Sequence, residues 1–350
     1  MKLEDLISYQ DVQTHLNGKR TKHLLFGNGF SIAYNSDIFS YTALSKFIEN
    51  IEDDLIKKLF SSLNTKNFEL IMQQLDNFCL IASIFSSDKD LVTRINNASE
   101  KLKTSLIDAV KELHPEHVFT IPEGKSRSCY SFLESYLSSN GYVFSTNYDL
   151  LLYWVLIRNK SVHAIDGFGR DSERYTEEFR SNDIVEYSEL RWGKYKREQT
   201  IFYLHGTLPL FDTGVDIIKE EYDSNHYLLD KVKQRMERKE YPIFVTAGDS
   251  REKLTHIMHN KYLSFCYDKL SSIEGSLITF GFNFGDYDAH IIDAINNAAH
   301  FGKKVPNRLW SVYIGVYSDA DMEHINRIKQ KIKCKVTLYN AKTVNIWGDD

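Results

Sequence analysis

Apolar residues follow two rhythms along the chain, and the switch between them marks its organisation. Thr21-Lys-His-Leu-Leu-Phe-Gly-Asn-Gly-Phe-Ser31 is a short apolar run ending in glycines and a small polar residue, which predicts a strand, a tight turn and a helix start. From Tyr41 to Leu137 the apolar positions take helical spacing, as in Leu44, Phe47, Ile48, Ile51, Leu55 and Leu59, and again in Phe68, Ile71, Met72 and Leu75. Within that stretch Gly124-Lys-Ser-Arg-Ser128, after Pro122, predicts a loop. Strand signals return at Tyr142–Ser145, Ile201–Leu204, Pro242–Thr246, Ser276–Phe280, Leu309–Val316 and Lys335–Tyr339, with helical stretches between several of them. This alternation predicts an α/β chain: a mostly parallel sheet with helices on both faces, built from residues 1–40 plus 138–350, with residues 41–137 as a helical insertion. Asp166 to Thr200, charged and aromatic with little periodicity, is expected to run as a long excursion over the sheet's edge or mouth.

Composition narrows the partners. The 350 residues carry 43 basic and 48 acidic side chains for a net charge of −5, so nucleic acid is not expected as the main ligand. The 4 cysteines, Cys79, Cys129, Cys266 and Cys334, stand far apart without a CxxC pair, which argues against a zinc knuckle or redox dithiol and for reduced thiols in the cytoplasm. MKLEDLISYQ does not read as a secretory signal, and the apolar run Leu150–Ile157 is far short of the ~20 residues that cross a bilayer. No membrane and no metal is expected.

Four motifs fall just past predicted strands, where open α/β sheets bind ligands. In Gly27-Asn28-Gly29-Phe30-Ser31 the missing Cβ atoms let the main chain approach a diphosphate, although Ile32 takes the third glycine position of GxGxxG. Ser145-Thr146-Asn147-Tyr148-Asp149 reads both as helix capping and as a carboxamide and carboxylate able to grip a ribose hydroxyl, a water or an amide. Tyr203-Leu204-His205-Gly206 places a histidine at a strand's end. Phe280-Gly281-Phe282-Asn283-Phe284-Gly285-Asp286-Tyr287-Asp288 precedes a helix from Ala289 to Ala299. His256 with His259, and His114 with His117, are expected to be packing, surface or turn residues, and Lys194, Lys196 and Arg197 a solvated edge.

Together and in this order, the motifs resemble the sirtuin (silent information regulator) superfamily, specifically the bacterial sirtuin-like proteins that cleave NAD and lack the zinc module; the chain looks close to a family known only as a domain of unknown function. Gly27, Gly29 and Ser31 match the superfamily's GAGxS with Asn28 for alanine, and Phe39 stands at the offset of the phenylalanine that covers nicotinamide, flanked by Ile38 and Ser40 in place of Asp and Arg. Thr146-Asn147-Tyr148-Asp149 matches the TNYD form, His205-Gly206 the HG dipeptide with the catalytic histidine, and Gly281-Phe282-Asn283 approximates the GTS-type turn.

The resemblance implies a Rossmann-like doubly wound fold and NAD as substrate. It makes Asn147, His205 and Asp149 the catalytic set, and Gly27, Asn28, Gly29, Phe30, Ser31, Phe39, Thr146, Gly281, Phe282, Asn283 and Asp286 the nucleotide contacts. It also implies an NAD glycohydrolase releasing nicotinamide and ADP-ribose, an effector of antiviral defence controlled as a homo-oligomer or by a partner defence protein. Capture by another nucleophile would instead make the chain an ADP-ribosyl transferase, cyclase or deacylase. A non-catalytic NAD or ADP-ribose sensor acting on a partner uses the same residues.

Overall fold

The computed structural model describes residues 2–35, 54–62, 68–85, 89–113, 115, 117–170, 189–222, 227–238, 240–245, 249–300, 305–306 and 308–348. Its strands in chain order are β1 (Lys22–Phe26), β2 (Val143–Ser145), β3 (Phe168–Gly169), β4 (Leu190–Trp192), β5 (Ile201–Tyr203), β6 (Gly206–Asp212), β7 (Ile217–Lys219), β8 (Pro242–Phe244), β9 (Gly275–Phe280), β10 (Leu309–Val316) and β11 (Lys335–Asn340). Its α-helices are α1 (Tyr9–Leu16), α2 (Gly29–Tyr34), α3 (Asp54–Ser62), α4 (Phe68–Phe85), α5 (Lys89–Leu113), α6 (Glu123–Leu137), α7 (Leu151–Arg158), α8 (Leu228–Glu237), α9 (Ser250–His259), α10 (Lys261–Leu270), α11 (Ala289–Ala299) and α12 (Asp319–Lys331).

Six strands form one parallel sheet in the order β11-β10-β9-β1-β2-β5. Read from the β5 edge and counted by succession in the chain, this is 3-2-1-4-5-6, the order of a Rossmann-like doubly wound sheet. Leu24, Leu25 and Phe26 of β1 are all fully buried, because a central parallel strand is covered on both faces and so reads as an unbroken apolar run. Flanking helices supply the cover: α6 buries Cys129, Leu133 and Tyr136, α7 buries Leu151 and Trp154, and α11 buries Ile291 and Ile295, all in one cluster with the sheet.

The remaining strands form a second sheet, β3-β4-β7-β6-β8, with antiparallel pairing throughout. Two expectations change here. The excursion over 166–200 contributes β3 and β4 rather than running free, and the Pro242 segment is an edge strand of this sheet rather than a member of the parallel one. Only Leu204 and His205 separate β5 from β6, too few residues for the crossover that parallel pairing needs, so the chain leaves the first sheet and begins another. Proline, which donates no ladder bond, is tolerated at the edge position of β8.

Phe60 of α3, Ile71 and Leu75 of α4, and Ile95 and Leu102 of α5 share a separate apolar cluster with Phe211 of β6, Ile218 of β7, and Val232 and Met236 of α8. The segment expected as a loop at 124–128 is instead the first part of α6: Pro122 fixes the entry and its carbonyl accepts the Ser126 N–H at 2.9 Å, while Glu123 places an acid in the first turn. Among the described residues no helix is long and apolar enough to cross a membrane.

Lys219 of β7 pairs with Asp166, and its ammonium stands 5.0 Å from the centre of the Tyr153 ring and 5.5 Å from that of Phe168. Its side chain is 9% exposed, so removing the carboxylate strands a buried cation. Asp166→Leu is expected to cost about 3–5 kcal/mol in urea unfolding, and the double variant Asp166→Leu/Lys219→Met to recover most of it. A double variant no more stable than the single one would show that the pair does not dominate the site.

Candidate active site at the rim of the parallel sheet

The four motifs leave the parallel sheet side by side. Tyr203 of β5 is in register with Ser145 of β2, Ser145 with Phe26 of β1, and Phe26 with Phe280 of β9. The turns beginning at Leu204, Thr146, Gly27 and Gly281 therefore share one C-terminal rim. Pairing continues past the strand ends: Thr146 N–H donates to Phe26 O at 3.1 Å, Leu204 N–H to Ser145 O at 2.8 Å and Gly27 N–H to Phe280 O at 3.2 Å.

The glycines of the first and fourth motifs bring the two turns into contact. Gly29 N–H donates to Gly281 O at 2.8 Å. A Cβ on Gly29 would lie 2.5 Å from the Gly281 Cα, and one on Gly281, where φ is +59°, would lie 2.6 Å from the Gly29 Cα. The close approach that the sequence assigned to a diphosphate is thus made between two stretches of this chain's own backbone. Phe30 is a core residue, its ring centroid 4.3 Å from that of Phe26, with Trp347 edge-on at 5.0 Å. Phe282 is buried with Phe284 edge-on at 4.7 Å. Asn283 is exposed, and its carbonyl accepts from His324 at 2.9 Å. Asn28 makes no side-chain cap to α2. Phe39 and the side chain of Asp286 lie outside the described residues.

Ser31, Asn147 and Asp149 form one buried network. Asn147 Nδ2 donates to Ser31 Oγ at 2.8 Å, and Ser31 Oγ donates to the Asp149 carboxylate. The other carboxylate oxygen accepts from Leu151 N–H at 2.9 Å at the start of α7, so capping and network coexist in one side chain. Ser145 Oγ accepts from Asn147 N–H at 3.0 Å, and Thr207 Oγ1 donates to Tyr148 O at 2.9 Å, tying the turn to β6. Burial raises the Asp149 pKa above its ordinary value, against the lowering effect of bonds from Ser31, Leu151 and Asn147.

His205 is 1% exposed, and its carbonyl accepts from Val245 N–H at 2.9 Å. Its Nε2 faces Nε2 of His290 at 2.9 Å, while its buried Nδ1 has no hydrogen-bond partner among the described residues. Burial, then His290 and Lys253, drive the His205 pKa well below the usual imidazole value. For His290 burial lowers it to about 4. Ser250 Oγ accepts the His290 N–H at 2.7 Å and lies 3.3 Å from its Nδ1, and Lys253 Nζ donates to Asp288 Oδ1 at 2.9 Å. His290, Ser250 and Lys253 were not candidates from sequence; the only signal was the acid-rich turn before α11, in which Asp288 stands two residues before His290. Of the other histidines, His259 bonds its own helix at Thr255 O, and His117 accepts from Phe119 N–H and bonds Tyr222 OH at 2.7 Å.

A folded Asp149 pKa above 3.8 means that the unfolded chain releases this proton first as pH rises, so wild type loses stability between 3.8 and the folded value. Asp149→Asn removes that titration. The stability of wild type minus that of Asp149→Asn should therefore fall as pH is raised from acid to neutral, measured by urea unfolding, and a rising difference would mean that the carboxylate is stabilised in its ionised form.

A search of curated proteins finds no match to this chain. A family model described as Domain of unknown function (DUF4917) matches residues 24–347, a span that includes β1 from Leu24 onward, every candidate residue from Gly27 to His290 and the last parallel strand, and the chain belongs to that family.

Proposed function

We propose that the protein is an NAD glycohydrolase that breaks the bond between nicotinamide and ribose, with His205 as general base and Asn147 as the group that positions ribose or water. The observation that carries this reading is the register of Tyr203, Ser145, Phe26 and Phe280, which sets His205, Asn147, Ser31 and the Gly281 turn along one rim. Nicotinamide is held through a quaternary nitrogen and leaves neutral, so no acid has to protonate it and no pair of carboxylates is required. An oxocarbenium-like transition state needs a fixed ribose, a water in line and a base to take a proton. When His205 Nε2–H donates to His290, Nδ1, which has no partner among the described residues, is left as a lone pair; burial makes it a weak base, suited to a water that turns acidic as it attacks the ribosyl cation. Asp149, joined to Asn147 through Ser31, holds the carboxamide's orientation.

Purified full-length chain incubated with NAD should release nicotinamide and ADP-ribose, resolved by chromatography. His205→Ala should lower turnover by about 10²–10⁴, and Asn147→Ala should lower kcat with it. Folded His205→Ala consuming NAD at the wild-type rate would remove the base assignment. Nucleotide that binds tightly and stays intact over hours would replace hydrolysis by sensing. Cyclic or protein-linked ADP-ribose in place of free ADP-ribose would identify a nucleophile other than water. A role in antiviral defence follows on this reading from depletion of cellular NAD, and induced expression should lower cellular NAD in wild type and not in His205→Ala.

A further inference from the structure

His205, His290 and Asp288 each bring one ligand-type atom to within 4.8 Å of the others. We propose that these three side chains form a binding site for a divalent first-row transition-metal ion, held through Nε2 of both histidines and one oxygen of Asp288. The sequence led to the opposite expectation, because the three residues have no metal-site spacing in the chain: His205 stands 83 positions before Asp288, since His205 follows β5 whereas Asp288 and His290 follow β9.

The Nε2 atoms lie 2.9 Å apart. That separation suits two neighbouring ligands on one ion with metal–nitrogen bonds of about 2.0–2.1 Å. Burial disfavours the imidazolium form of both rings, which leaves lone pairs to donate. Two imidazoles and a carboxylate favour zinc, iron(II) or cobalt(II) over calcium or magnesium, which take all-oxygen sites, and three protein ligands leave positions for water. Surrounding groups orient the set: Ser250 Oγ lies 3.3 Å from His290 Nδ1, and Lys253 bonds Asp288 Oδ1 and leaves the second carboxylate oxygen. The buried Lys253 ammonium opposes a dication and weakens its binding.

Metal and base chemistry compete for one ring. An ion on Nε2 of neutral His205 displaces the proton from that nitrogen to Nδ1, with no net release, and Nδ1 becomes a donor. On the reading proposed above, the loaded protein has no base.

Chelator-stripped full-length protein dialysed against zinc or cobalt(II) ions should take up about one ion per chain by elemental analysis, with visible absorption from bound cobalt. His290→Ala and, separately, Asp288→Asn should weaken uptake at least about tenfold, since even outer-sphere partners cost 10–100-fold. His256→Ala, on α9 but with its side chain outside the ligand set, should bind like wild type. Circular dichroism checks folding, and either of the two ligand variants suffices if the other unfolds. Wild type that takes up no ion, or ligand variants that bind as wild type does, overturns the site. Zinc occupancy should also suppress NAD cleavage in proportion; full occupancy with undiminished cleavage overturns the competition. A stripped wild type that leaves NAD intact defeats the glycohydrolase reading alone, because uptake is counted independently.

Discussion

Gly29 and Gly281 meet backbone to backbone, and the layout of the rim depends on that contact. No other residue fits at either position, because each Cβ would fall about 2.5–2.6 Å from the opposing main chain. The turns after β1 and β9, the two strands at which the sheet order reverses, therefore touch rather than splay apart. The helices that leave them, α2 and α11, inherit their positions: Ser31 is carried toward Asn147 and Asp149, and His290 toward His205. A sheet of this kind commonly uses glycine to let a phosphate approach the main chain. Here the same freedom joins two loops of the protein, so the glycine pattern alone does not distinguish a ligand cradle from a loop-to-loop contact.

Two polar clusters are buried at the rim, and they meet the cost of burial in different ways. Around Asp149 the carboxylate accepts from Ser31 and from Leu151 N–H, and these bonds offset only part of the desolvation, since the pKa is still raised. Around His205 the two rings share one hydrogen bond, and Lys253 with Asp288 forms a neighbouring ion pair of opposite charges. Among the described residues, Nδ1 of His205 has no partner. An unpartnered buried polar atom costs on the order of 1–3 kcal/mol, which an apolar residue in its place would avoid. Against that cost stands the hydrogen bond to His290, whose own buried Nε2 an apolar residue at 205 would leave unpaired.

The parallel sheet was legible in the sequence because its strands are buried on both faces, so Leu24–Phe26, Val143–Phe144 and Leu277–Ile278 read as short apolar runs near turn residues. The second sheet was not. Its strands β3, β4 and β7 have two or three residues each, too short for an alternating pattern to register, and Pro242 resembled the start of another parallel strand. Helix α6 was mistaken for a loop at its start because Gly124 and four polar residues, Lys125 to Ser128, follow soon after Pro122, a composition shared by turns and by first helical turns. In the rim, residues that act through short-range turn chemistry were visible: Ser31, Asn147, Asp149 and His205 all stand within a few positions of a strand's end. His290, Ser250 and Lys253 were not, since they reach the site through helix packing and nothing local in sequence marks them.

Burial also bears on how a reaction at this rim would be controlled. Asn147 and Asp149 are each less than a tenth exposed and His205 nearly fully enclosed, so on the proposed reading a ribose can reach the base only by displacing what covers it. Exposure of the base and binding of the dinucleotide are then one event, driven by contacts that the adenosine and diphosphate make away from the reacting carbon. The low dielectric that makes the histidines hard to protonate also strengthens any dipole aimed at a developing ribosyl cation. On the proposed reading, one feature of the fold, the deep placement of these groups at the sheet's C-terminal edge, would serve both a quiet resting protein and a strongly polar reacting one.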